Sequence, residues 1–188
     1  QRRTILPQIK YSQFNTPMLL TDEQFEEYEE RGFLFFPRLF SADEINSLHK
    51  ALLGVLDAER LEVDRENTSG ELRCAFACHT YDDTFIRLSK HPKIIKPVRQ
   101  LLKGDIYMHH FSIQPKVAFK GEAWGWHQDY SAWEALDGMR ETHAVNTGLF
   151  IDEITQYNGP LYFIPGSHRN GLLKCTKSND NRFPAMCI

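Results

Sequence analysis

Trp124-Gly125-Trp126-His127-Gln128-Asp129-Tyr130 is the stretch whose reading decides this chain. Read as a strand, residues i and i+2 point to the same face. His127 and Asp129 then present an imidazole and a carboxylate to one point in space. One carboxylate and two histidines form the facial triad that holds Fe(II) and leaves positions open for exogenous ligands. By itself H-x-D is a short pattern that arises often by chance, and a surface His–Asp pair is the plain alternative. The tryptophans on one side and Tyr130 and Trp133 on the other add an aromatic lining of the kind that surrounds small-molecule pockets. Core packing is the competing reading for each of those rings.

Downstream lies Asn158-Gly159-Pro160-Leu161-Tyr162-Phe163-Ile164-Pro165-Gly166-Ser167-His168-Arg169. Gly159-Pro160 and Pro165-Gly166 are turn pairs, and the apolar run between them reads as a short buried strand. Ile106–Gln114, Val117–Phe119 and Val145–Ile151 are also rich in β-branched and aromatic residues and read as strands. Upstream the grammar is helical. Thr21 with Gln24 spells a capping box for a helix to about Arg31, closed by Gly32. Phe33–Phe36, stopped by Pro37, reads as a buried strand. Ser41 with Glu44 opens a second helix, in which Ile45, Leu48, Leu52, Val55 and Leu56 recur at helical spacing. Residues 59–71 read as a loop. A third helix is expected at about 81–90 and a fourth from Pro92 to near Gly104. Helices first and strands later predict an α+β chain, helices packed on an antiparallel double sheet or jelly roll.

The chain has 188 residues, 41% hydrophobic and 25% charged, with a net charge of −3. That suits one soluble domain and gives no basic footprint for nucleic acid. No apolar run has membrane-spanning length, and no signal-peptide core follows the basic N-terminus, so a cytoplasmic location is expected. Residues 1–20 read as an N-terminal arm and 21–188 as a single domain, helical over about 21–104 and β over about 105–188. Cys74, Cys78 and His79 form a C-x3-C-H cluster, for which two small buried thiols are preferred over zinc.

Together, W-x-W-H-Q-D-Y, D-G-M and N-G-P-L-x-x-I-P-G-S-H-R resemble the phytanoyl-CoA dioxygenase superfamily, over about Leu20 to Gly171. The proline-hydroxylase-like and ectoine-hydroxylase-like members are the most similar. The resemblance implies a mainly β, cupin-like double-stranded β-helix with N-terminal helices bracing the major sheet. It implies Fe(II), 2-oxoglutarate and O2 as inputs, and hydroxylation of an unactivated C–H bond in a small molecule. His127 and Asp129 match the proximal iron ligands. Gln114, Lys116 and Asn146 match positions near the 2-oxoglutarate, and Trp133, with Tyr130, the substrate side. Related halogenases replace the carboxylate with a small residue, so Asp129 implies hydroxylation. A free amino or imino acid is the substrate the resemblance implies, and the ectoine-type reading is weaker because Ser112 stands where ectoine hydroxylases carry an arginine. A larger secondary metabolite is the alternative within this chemistry.

The family pattern also calls for a distal histidine ligand and an arginine for the 2-oxoglutarate carboxylate, beyond the P-G-S-H-R turn. His143 and His168 are the only histidines after H-x-D, and His168 matches a turn residue. The last jelly-roll strands and the distal pair are therefore expected to be missing from these 188 residues. A non-catalytic binding module that retains the fold is the second class of reading, and a cupin-like sugar- or metal-binding protein the third.

Overall fold

A computed structural model describes residues 19–56, 59–117 and 124–173, and the backbone of 175–176 and 186–187. The helices are α1 (Asp22–Arg31), α2 (Ala42–Leu56), α3 (Asp83–Leu88), α4 (Pro92–Leu102) and α5 (Asp129–Asp137). The strands are β1 (Val63–Arg65), β2 (Leu72–Phe76), β3 (Ser112–Ile113), β4 (Cys175–Thr176) and β5 (Met186–Cys187). Strands β1, β2 and β3 form an antiparallel sheet in that order, and β4 pairs with β5. None of the described helices is long and apolar enough to cross a membrane.

The helix starts follow the sequence reading. Gln24 N–H donates to Thr21 Oγ1 at 3.3 Å, and Thr21 N–H donates back to Gln24 Oε1 at 3.0 Å. Ser41 and Glu44 repeat the device on α2, at 3.3 and 2.6 Å. Each pair satisfies two amide groups that a helix start leaves without partners. The core lies where α2 meets the sheet: Leu48, Val55, Ala75, Cys78 and Phe85 are buried together. Both thiols of the C-x3-C-H cluster are buried. Burial pushes Cys74 up to about 12.

Four strand expectations are corrected. Phe33–Phe36, Val145–Ile151 and Leu161–Ile164 join no ladder, and of Ile106–Gln114 only Ser112–Ile113 pairs. Apolar composition shows that a segment suits a sheet but not that a partner strand lies beside it. Leu161 to Ile164 are each more than half exposed, successive residues alike, so this run has no buried face. The Val117–Phe119 expectation falls largely outside the described residues, as does the arm before residue 19. Conversely, residues 59–71, expected as a loop, contain β1, whose Asp64 and Arg65 hide it, and β2 follows directly, a five-residue strand interrupted by Arg73. Helix is the commoner regular structure among the described residues, and two strands of the first sheet, β1 and β2, lie between α2 and α3.

One irregularity in that sheet has an energetic consequence. Asp64 pairs with Cys74 but Arg65 pairs with Leu72, so Arg73 is an extra residue in β2. A bulge re-aims the side chain it carries. Here four successive β2 residues, Leu72 to Ala75, are buried, Arg73 among them.

Glu44 links α2 to α4. Its carboxylate accepts from Lys93 Nζ at 2.7 and 3.0 Å and lies 3.3 Å from His91 Nε2. Partial burial pushes the Glu44 carboxyl up, but hydrogen bonds from Lys93 and Ser41 outweigh it and leave the group below its ordinary value. A depressed carboxyl contributes stability above its unfolded pKa and loses it as pH falls through the folded one. Glu44→Gln is therefore expected to cost about 1–2 kcal/mol at pH 7. In urea melts the difference between variant and wild type should shrink as pH falls through the lowered pKa of the folded protein and the wild-type Glu44 carboxyl is protonated.

Candidate metal centre

The segment before α5 is extended but unpaired, and Asp129 is the first residue of the helix. This corrects the strand reading of H-x-D. Gln128 is the extended N-cap residue, with φ −112° and ψ 121°, and Asp129 supplies the acidic first turn that suits the helix dipole. Ala132, Trp133, Glu134, Ala135 and Leu136 continue the helix, and Gly138 ends it with φ +69°. The Asp137-Gly138 pair is a stop signal visible in the sequence.

The extended-to-helical junction still brings the two groups together. His127 Nε2 lies 3.2 Å from Asp129 Oδ1. Two donors about 2.1 Å from one ion and at right angles lie roughly 3 Å apart, so this spacing fits adjacent positions on one metal. His127 Nδ1–H donates to Gly125 O at 2.7 Å. That bond leaves Nε2 as the ligand nitrogen, which is how ligating histidines are ordinarily fixed. The imidazole is raised above its ordinary value, chiefly because its protonated form donates Nε2–H to Asp129, and the Asp129 carboxyl is lowered, chiefly by accepting the same bond. Asp129 is thus ionised at neutral pH. The two side chains fit a cation between them.

Asn146 is brought directly to this pair: its Nδ2 donates to Asp129 Oδ2 at 2.6 Å. Trp133 lies one helical turn after Asp129, on the same side of α5, and its ring meets His109 edge-on at 5.4 Å. Tyr130 OH donates to Met139 O at 3.2 Å and so braces the D-G-M turn. Lys116 reaches the pair only indirectly: its Nζ lies 5.3 Å from the Trp124 ring, which is 6.2 Å from the His127 ring. Gln114 is exposed, and its amide donates to Ser112 Oγ at 3.3 Å. Among the described residues no third His, Cys, Asp or Glu joins a metal-sized cluster. A cavity of about 420 Å³ opens at the far end of α5, where His109 Nε2 lies 3.2 Å from Asp137 Oδ2.

Two functional details escaped the sequence reading. Gln128 uses both ends of its amide: Nε2 donates to Gly171 O at 2.9 Å, and Oε1 accepts from Leu173 N–H at 2.8 Å. It ties the strip after the P-G-S-H-R turn to the residue between His127 and Asp129. The P-G-S-H-R turn itself closes the C-terminus of α1. His168 Nε2–H donates to Glu29 O at 3.1 Å, Arg169 donates to the same carbonyl, and Gly166 N–H donates to Arg31 O at 2.9 Å. His168 is therefore a helix-capping residue, placed away from His127. Gly32, at φ +83°, lies beneath it, and a Cβ there would fall 2.3 Å from His168 Nδ1. Left-handed backbone alone costs a non-glycine residue about 1–2 kcal/mol. Gly32→Ala is expected to cost about 2–3 kcal/mol in all, read by urea unfolding, since His168 must also leave its carbonyl.

The family model described as phytanoyl-CoA dioxygenase (PhyH) matches residues 28–183. The chain belongs to the PhyH family. Within it, the chain is 36% identical over 149 residues to the L-proline trans-4-hydroxylase of Streptomyces griseoviridis, covering 79% of this chain and 56% of that protein. It is 32% identical over 167 residues to the ectoine dioxygenase of Halomonas elongata, covering 87% of this chain and 50% of that one. Among solved structures it is similar to EctD from S. alaskensis with 2-oxoglutarate and 5-hydroxyectoine. The TM-score is 0.61 at 28% identity, over 64% of this chain and 44% of EctD. EctD with bound Fe gives a TM-score of 0.57 at 27% identity, over 61% and 42% of the two chains. The PhyH chain described here thus spans about half the length of the curated relatives it matches.

Proposed function

We propose that this PhyH-family chain is the His-x-Asp-bearing part of an Fe(II)- and 2-oxoglutarate-dependent dioxygenase that hydroxylates a small amino or imino acid. The observation that carries the reading is the His127 Nε2–Asp129 Oδ1 pair, held at one ion's spacing with the histidine tautomer already fixed. The proline- and ectoine-acting relatives support the substrate class. The similarity to EctD supports a cupin-like jelly-roll fold.

Bound Fe(II) with 2-oxoglutarate would supply the activation of O2 needed to oxidise a C–H bond. The chain's own residues prepare that centre. His127 would offer Nε2 to the ion by giving up the proton it shares with Asp129, while Gly125 O holds the other proton on Nδ1. Asp129 offers an anionic oxygen that partly neutralises the ion. Gln114 and Lys116 are assigned to the co-substrate side. Trp133, on the same side of α5 as Asp129, is assigned to the substrate side; Tyr130 contributes its ring there, its hydroxyl being engaged with Met139.

The test is succinate formation from 2-oxoglutarate with Fe(II) and O2, across a panel of free amino and imino acids that includes proline and ectoine. Stimulation by one small member above the uncoupled background is expected. Iron binding without stimulation by any member would contradict the substrate class.

A further inference from the structure

Asn146 lies 17 residues beyond Asp129, on the chain that follows the D-G-M turn. Its side chain is exposed, so no packing requirement fixes its rotamer. It nevertheless donates Nδ2–H to Asp129 Oδ2 at 2.6 Å, while Oδ1 of the same carboxylate faces His127 Nε2 at 3.2 Å. The two carboxylate oxygens therefore have different partners. A free aspartate can rotate about its last bond, exchange its two oxygens, or offer both to one cation. A donor fixed on one oxygen, with the short geometry of a charge-assisted bond, opposes all three motions.

We propose that Asn146 is a positioning residue for the metal centre: it holds Oδ2 so that Asp129 presents Oδ1 alone as a single-oxygen ligand. This rests on the iron-binding reading above and adds a role to it. A facial triad is useful because three coordination positions stay open. A carboxylate binding through both oxygens would occupy one of them, and Asn146 prevents that. Beside the 2-oxoglutarate contact that the resemblance implies for Asn146, the geometry directs its amide N–H to a ligand residue. Partners that orient a ligand in this way typically change metal affinity by about 10–100-fold when removed.

The experiment is an anaerobic Fe(II) titration of wild type, Asn146→Ala and Asn146→Asp, with thermal unfolding of each protein free of metal. The Co(II)-loaded forms are compared by visible absorption, which senses a change in carboxylate binding mode. Asn146→Ala is expected to bind Fe(II) roughly ten-fold or more weakly and to alter the Co(II) spectrum. Its metal-free melting temperature should stay within about 2 °C of wild type, as for an exposed side chain. Asn146→Asp also removes the donor and should alter the Co(II) spectrum, because the added carboxylate can itself reach the ion. If Asn146→Ala fails to fold, Asn146→Ser, whose hydroxyl is too short to reach Oδ2, gives the same comparison. Wild-type Fe(II) affinity and Co(II) spectrum in the variants would overturn the positioning role and leave the iron site standing. A large drop in melting temperature with unchanged affinity would also overturn it, in favour of a structural role. No Fe(II) binding by wild type would overturn both readings.

Discussion

Asp129→Ala is expected to weaken Fe(II) binding by at least roughly 100-fold, more than loss of an orienting neighbour would, because the ligand itself is removed. The reason lies in the protonation state as well as the position. The hydrogen bond from His127 keeps the Asp129 carboxyl below its ordinary value, so an anion stands ready at neutral pH. Asp129→Asn keeps the shape and much of the hydrogen bonding but removes the charge, and should also lose most of the affinity. Both variants should remain folded, since an acid in a helix's first turn contributes only about 0.3–1 kcal/mol. His127→Ala should match them. Anaerobic equilibrium dialysis of Fe(II) against the variants checks this, and retention of wild-type affinity by Asp129→Ala would remove the carboxylate from the centre.

Arg73→Met carries the largest expected cost in stability. Arg73 and Glu66 are 2% and 3% exposed, and Nη1 lies 2.7 Å from Oε2. Breaking such a pair from one side leaves a buried charge without its partner and typically costs about 3–5 kcal/mol. The guanidinium also lies 4.2 Å from the Trp124 ring, so its loss reaches the segment that leads into His127. The double variant Arg73→Met/Glu66→Leu removes both charges and should recover much of the loss. Urea unfolding of the two variants decides it: a single variant within 1 kcal/mol of wild type, or a double variant no better than the single, would contradict this account of the pair.

What the sequence revealed, and what it hid, follows from the range of each signal. The starts of α1 and α2 were legible because a capping box is written within four adjacent residues, Thr21–Gln24 and Ser41–Glu44. The helix face of Leu48 and Val55 was legible from its period. The closeness of His127 and Asp129 was legible, although the supporting geometry was misread. Asp129 opens a helix, and the pairing comes from the turn between extended Gln128 and helical Asp129. Strands were the weakest part, because a ladder depends on a partner that local composition does not name. Arg73 shows the limit most clearly: an arginine is ordinarily expected at the surface, yet it is one of the most buried side chains, at a one-residue bulge against β1. The bonds from Asn146 to Asp129 and from Gln128 to Gly171 and Leu173 join residues 17 to 45 positions apart, beyond any local pattern.

Whether His127 and Asp129 belong to an iron centre that accepts 2-oxoglutarate is decided by anaerobic addition of Fe(II) and then 2-oxoglutarate to the purified protein, watching for the visible charge-transfer band of the chelate. A band that saturates with 2-oxoglutarate and is lost in His127→Ala and Asp129→Ala is expected. A folded protein that gives no band, or a band unchanged in both variants, would contradict the assignment.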